Sequence, residues 1–244
     1  MEYSPFEKVQ QFNRAFDVLP RQPITYKECA LTPFDFARYD IFTSDPAAVK
    51  LRIALITEEI QELRDAYEVN NIIEIRDALA DILYVIYGMA DVFGVDMDLY
   101  ADEYDGKHIQ NDMLKASLNY YIDDITIYEN KLILNVESKA FNEIFKNLYK
   151  IILEVKGIYN FINIDSESDF AIVHDSNMSK LCSSEFEAIA TVADYHVKFT
   201  NGTSPYDSPY YYYIPEINKW GVKNRSTGKV LKNINYIKVK FPNA

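Results

Sequence analysis

Histidine occurs three times, cysteine twice and glycine seven times in 244 residues. His108, His174 and His196 stand at no metal-binding spacing, and the only thiols are Cys29 and Cys182. Two cysteines make no disulfide framework, and the chain reads as belonging to a reducing, cytoplasmic setting. Few glycines suit a helix-rich chain. No apolar run approaches the roughly 18 residues of a membrane span. The opening MEYSPFEKVQ has neither the basic start nor the apolar core of a signal peptide, so no membrane partner is expected. No Ser/His/Asp arrangement and no GxGxxG can be defended, and STGK at 226–229 lacks the spacing of a P-loop. A net charge of −12 excludes a general nucleic-acid binder, which needs a basic surface. It does not exclude a nucleotide, because a metal and a few lysines neutralise a triphosphate.

What the chain does have is acid in pairs. From Leu51 to Gly94 two apolar-periodic segments flank a short polar turn at Asn70 and Asn71, which predicts a helical hairpin. Glu58, Glu59 and Glu62 cluster on the first arm; Glu74, Asp77 and Asp81 cluster on the second. Spacings of three and four stack these carboxylates on one helix face. Like charges at i,i+4 cost about 0.2–0.5 kcal/mol even when exposed. Asp81 sits among apolar neighbours in DALADILYVIYG, and a buried carboxylate calls for a proton or a cation. A divalent ion between the arms relieves both. Its ligands are all oxygens, which selects Mg²⁺ or Mn²⁺ over Zn²⁺. Against this stands the plainer reading of two solvated acidic faces.

EEIQE followed by EIRD resembles the EExxE…ExxD signature of the all-α nucleoside triphosphate pyrophosphohydrolases, the MazG-like group. DALADILYVIYG resembles the branch related to phosphoribosyl-ATP pyrophosphohydrolase. The resemblance implies an all-helical homodimer, Mg²⁺ dependence, and hydrolysis of nucleoside triphosphates to monophosphate and pyrophosphate. HDSNMSK (174–180) and STGKVLK (226–232) resemble two further strings of that family, and QQFNRAF (10–16) more loosely its opening segment.

Elsewhere the residues predict scaffold. Phe6, Val9, Phe12 and Phe16 stripe a helix over 4–17, while Pro20, Pro23, Pro33 and Pro46 exclude long helices over 19–46. Ser44 or Asp45 caps the first acidic arm, with Pro46 in its first turn, and Gly94 ends the second. VDMDLYADEYDG reads as an acidic turn without EF-hand spacing. Helices are expected over 112–133 and 139–161. Another is expected over 185–198, with Phe186, Ile189, Ala190, Ala193 and Val197 facing inward. Trp220, Val222 and Asn224 alternate ahead of RSTG and KVLK, as in a small hairpin.

The fold expected is therefore all-α, a helical bundle with a carboxylate-lined metal site and a minor β hairpin near the C-terminus. Residues 1–244 are read as one domain, with a helical insertion at about 107–165 and a C-terminal extension at about 200–244. The inserted helices either thicken the bundle or imitate part of a partner subunit. Glu59, Glu62, Glu74 and Asp77 are expected to hold Mg²⁺, or Mn²⁺, with Asp81 behind them. Glu58 is the candidate for orienting or deprotonating the attacking water, or for sharing a second ion. Asn177, Lys180, Lys229 and Lys232 offer an amide and ammonium groups to phosphate, although such lysines are more often simply solvated. The competing readings are a dUTP- or dCTP-specific hydrolase of the same fold and a non-catalytic nucleotide- or metal-sensing scaffold.

Overall fold

The computed structural model describes residues 3–16, 32–107 and 117–242. Among these residues the chain forms nine helices and one two-stranded ribbon. The helices are α1 Pro5–Ala15, α2 Ile41–Ser44, α3 Pro46–Glu68, α4 Ile72–Phe93, α5 Met97–Lys107, α6 Leu118–Glu137, α7 Phe141–Ile162, α8 Ser166–Met178 and α9 Glu185–Thr200. The strands are β1 Pro209–Ile214 and β2 Lys219–Asn224. Two compact units emerge, one of Met1–Val9 with Pro23–Ala171, the other of Gln10–Gln22 with Ile172–Ala244. Pro20, Pro23, Cys29, His108, Met113 and Leu114 lie outside the described residues. Among the described residues no single helix is long and apolar enough to cross a membrane.

In the first unit the acidic hairpin forms as its sequence demands. Asp45 caps α3, accepting from the Ala48 amide at 3.0 Å, and Pro46 opens the first turn. Asn70 takes the left-handed conformation at φ 52°, which asparagine tolerates, and Asn71 caps α4 through the Glu74 amide. Gly94 closes α4 at φ 71°; a Cβ there would lie 2.2 Å from the Phe36 carbonyl oxygen, so the position requires glycine. Every residue from Ile82 to Ala90 is buried, on all sides of α4. The chain's own helices do this. α3 packs along α4, α6 along α7, α4 on α7 and α3 on α6, giving two antiparallel hairpins face to face. Phe93 sits 5.6–5.8 Å from the rings of Phe42, Phe141 and Phe145, and Tyr84 stacks on Phe170 at 5.5 Å. Phe141, Ile144, Phe145, Leu148, Ile151, Ile152, Val155, Ile158 and Tyr159 of α7 are all buried.

Residues 97–107 correct one expectation. They are a helix and not an acidic turn, because Asp96 caps them, its Oδ1 accepting from the Asp98 and Leu99 amides at 3.0 and 3.1 Å. An Asx cap at the head of an acidic segment favours a helix start, since carboxylates suit that end of the macrodipole.

The second unit corrects two more. α9 forms, capped by Ser184, but Phe186, Ile189 and Val197 are 80%, 46% and 59% exposed. The helix instead buries Glu187, Ala188, Thr191 and Tyr195, packing on Cys182, Val222 and Leu231. A buried glutamate defeats an apolar-stripe reading, and Glu187 is tolerated inside because the Ser183 amide and hydroxyl and the Asn235 amide all donate to it. Those bonds hold its carboxyl below the usual range against the opposing effect of burial. The ribbon pairs Pro209–Ile214 with Lys219–Asn224, so the tyrosine run supplies the strand expected of KVLK. KVLK contributes one bridge, Val230 to Lys223. Cys182 is fully buried, and burial raises its thiol to about 11, which makes it inert.

Candidate active site

The hairpin turn sets which acidic residues are level with one another. Both arms rise about 1.5 Å per residue, so residues equally distant in sequence from Asn70 lie side by side. Arg52 and Gly88 are each eighteen away, and the Arg52 guanidinium does rest on Gly88. The same count puts Glu59 level with Asp81, Glu62 level with Ala78 beside Asp77, and Glu74 level with Ala66, about a turn nearer the bend. Glu59, Asp77 and Asp81 are half-buried, whereas Glu58, Glu62 and Glu74 are exposed. By this count Glu74 stands nearest the bend, and Asp81 is level with Glu59. Among the described residues no group of three or more His, Cys, Asp or Glu side chains is placed to hold a metal ion.

The seam between the arms carries charges that the sequence reading missed. Arg52 is 7% exposed, and burial lowers its guanidinium to about 10 while Asp91 and Tyr84 pull it upward. Tyr84 is raised well above the usual phenol range, first by burial and then by the Asp81 carboxylate, with Arg52 opposing. The order Asp91, Arg52, Tyr84, Asp81 thus runs along the helix pair toward the acidic cluster. Arg76, inside the EIRD string itself, is 4% exposed and makes a two-pronged ion pair with Asp169 of α8. Nε donates to Oδ2 at 2.9 Å and Nη2 to Oδ1 at 2.7 Å. The Tyr159 hydroxyl of α7 donates to the Arg76 carbonyl at 3.2 Å. Burial raises this phenol first, then Asp169, with Asp81 and Asp77 adding to the effect and Arg76 opposing it. Two signals were available. Arg52 occupies an apolar stripe with Val49, Ile56 and Ile60, and Gly88 interrupts an apolar helix, where a glycine has a packing reason.

The expected phosphate-binding residues all belong to the second unit. HDSNMSK is the end of α8 and the turn after it. Lys180 Nζ donates to Asn177 Oδ1 and stands 5.7 Å from the Phe12 ring centre, so these two residues are brought together. Ser176 donates to the Ile237 carbonyl at 2.8 Å, which gives the hydroxyl a structural partner. Lys229 is half-buried, and Lys232 is exposed over the Tyr236 ring.

The family model described as phosphoribosyl-ATP pyrophosphohydrolase matches residues 37–108, which take in α2 through α5 and so the whole acidic hairpin. "Uncharacterized protein L479" of Acanthamoeba polyphaga mimivirus is 33% identical over 242 residues, 93% of this chain and 90% of that protein. No solved structure matches. The match supports a nucleotide pyrophosphohydrolase type of activity. The chain belongs to one family with the mimivirus protein, to which it is related over nearly its full length, and its residues 37–108 match the phosphoribosyl-ATP pyrophosphohydrolase family.

Proposed function

We propose that the chain is a Mg²⁺-dependent nucleoside triphosphate pyrophosphohydrolase that converts a (d)NTP and water to the (d)NMP and pyrophosphate. One observation carries the reading: the family match encloses a hairpin whose two arms bring EExxE and the second acidic run alongside each other. The donor set fits the ion in kind, being carboxylate oxygen throughout. Glu59, Glu62 and Asp77 would hold it. The register supports Asp81 as the fourth ligand, with Glu74 reaching in from the turn. Glu62 and Glu74 are exposed, with side chains long enough to turn toward a bound ion. When bound, Mg²⁺ polarises phosphoryl oxygens and offsets charge on the leaving pyrophosphate.

The remaining steps belong to side chains of this protein. Glu58, one residue from Glu59 and exposed, orients the water and takes its proton. Asn177, Lys180, Lys229 and Lys232, within the second unit, carry amide and ammonium groups of the kind that suit phosphate oxygens. Pyrophosphate release from dUTP, dCTP, dATP and ATP with Mg²⁺ tests the reading and separates a broad hydrolase from a narrow one. Phosphoribosyl-ATP, the compound in the family's description, belongs in the same panel. Release that disappears with Glu62→Gln supports the reading. No release from any of the five sinks it.

A further inference from the structure

Arg76 lies between the two acidic residues of EIRD, and its side chain makes a dry pair with Asp169; the two side chains are 5% and 1% exposed. Its carbonyl is held from another helix by Tyr159, itself 1% exposed. Three bonds from α7 and α8 therefore grip one turn of α4. Asp169 and Tyr159 both lie outside residues 37–108, in the part of the chain that the family match does not reach.

We propose that Asp169 and Tyr159 are positioning residues for the carboxylate hairpin, fixing the rotation of α4 about its axis so that Asp77 and Asp81 meet the arm opposite. The inference rests on the metal reading above. Neighbouring side chains on a helix are about 100° apart, so fixing the azimuth of Arg76 fixes that of Asp77 and, four residues on, Asp81. A carboxylate stands roughly 6 Å from the helix axis, so a 20° turn of α4 displaces it by about 2 Å. Mg²⁺ binds oxygen at about 2.0–2.1 Å with little tolerance, and a shift of that size removes a ligand.

The test is a Mn²⁺ titration of the full chain without nucleotide, followed by the electron paramagnetic resonance signal of free ion, alongside a melting curve. Arg76→Met with Asp169→Leu replaces the pair by apolar groups of similar size, a change that buried pairs often tolerate in stability. The proposal expects an unaltered fold and Mn²⁺ affinity lower by about 10–100-fold, the usual effect of losing groups that orient ligands. Tyr159→Phe, which deletes one hydroxyl, should lower affinity several-fold. If the double variant does not fold, Tyr159→Phe decides alone. Wild-type affinity in a folded variant overturns the positioning role and leaves the metal reading standing. Absence of Mn²⁺ binding by the wild type overturns both.

Discussion

The Arg52 guanidinium lies against the bare α-carbon of Gly88: a Cβ added there would stand 2.6 Å from Nη1. Glycine inside a helix costs about 0.5–1 kcal/mol relative to alanine, and here it leaves the room that a buried arginine needs. Gly88→Ala should consequently lose more by displacing Arg52 than it gains in helix propensity. The net expectation is a destabilisation of about 1–3 kcal/mol, typical of overpacking, read as a lowered melting temperature. A melting temperature equal to or above that of the wild type would show that the seam has slack.

Metal should stabilise the fold. Two acidic arms repel without a cation, and an ion that binds only the folded state adds RT ln(1 + [L]/Kd), about 2.7 kcal/mol at a hundredfold excess over Kd. Mg²⁺ or Mn²⁺ should raise the melting temperature, and Glu62→Gln should blunt the rise. A flat response to both ions up to millimolar concentration would remove the cage.

Stability should fall on the alkaline side. Tyr84, Tyr87 and Tyr159 are raised above the ordinary 10.0 chiefly by burial. Below pH 10 these phenols are neutral folded or unfolded and their contribution is intact. Above it the unfolded chain sheds protons that the folded one keeps, so stability drops as pH climbs. Arg52, lowered to about 10, works the opposite way and restores part of the loss between there and its ordinary 12.5. Urea midpoints between pH 9 and 11 should decline, and less steeply in Tyr84→Phe. An equal slope in that variant would rule out Tyr84 as a source.

Glu58→Gln separates chemistry from binding. It keeps volume and shape but loses the base, and such losses typically cost about 10²–10⁴-fold in rate. The kcat should fall by that amount with KM little changed. Lys180→Ala, which removes a phosphate-gripping charge, should mainly raise KM. An unchanged kcat in Glu58→Gln would return that residue to the solvated surface.

Much of this was legible because local rules and packing agree. The Asn70 turn, the Asp45 cap and the Gly94 stop are each fixed by one residue's chemistry, and all three hold. The long apolar faces of α4 and α7 demanded burial, and the two helices pack on each other. α9 misled because Glu187 is satisfied by partners as distant as Asn235, so the polar face went inward and Phe186 outward. The Arg76–Asp169 pair was illegible for the same reason: 93 residues separate its partners, and nothing local to EIRD announces where its arginine turns. The homodimer was an expectation from the family resemblance; within one chain Ile82, Leu83, Val85 and Ile86 are buried, with α3 and α7 packed on α4.

Chromatography of an early time point, with Mg²⁺ and a cleaved nucleoside triphosphate, goes to the reaction itself. Water attack with pyrophosphate as leaving group gives monophosphate and pyrophosphate in equal amounts from the first turnover, and neither forms once Mg²⁺ is chelated. Nucleoside diphosphate with orthophosphate as the first products would contradict the assignment of the hairpin as a pyrophosphohydrolase site.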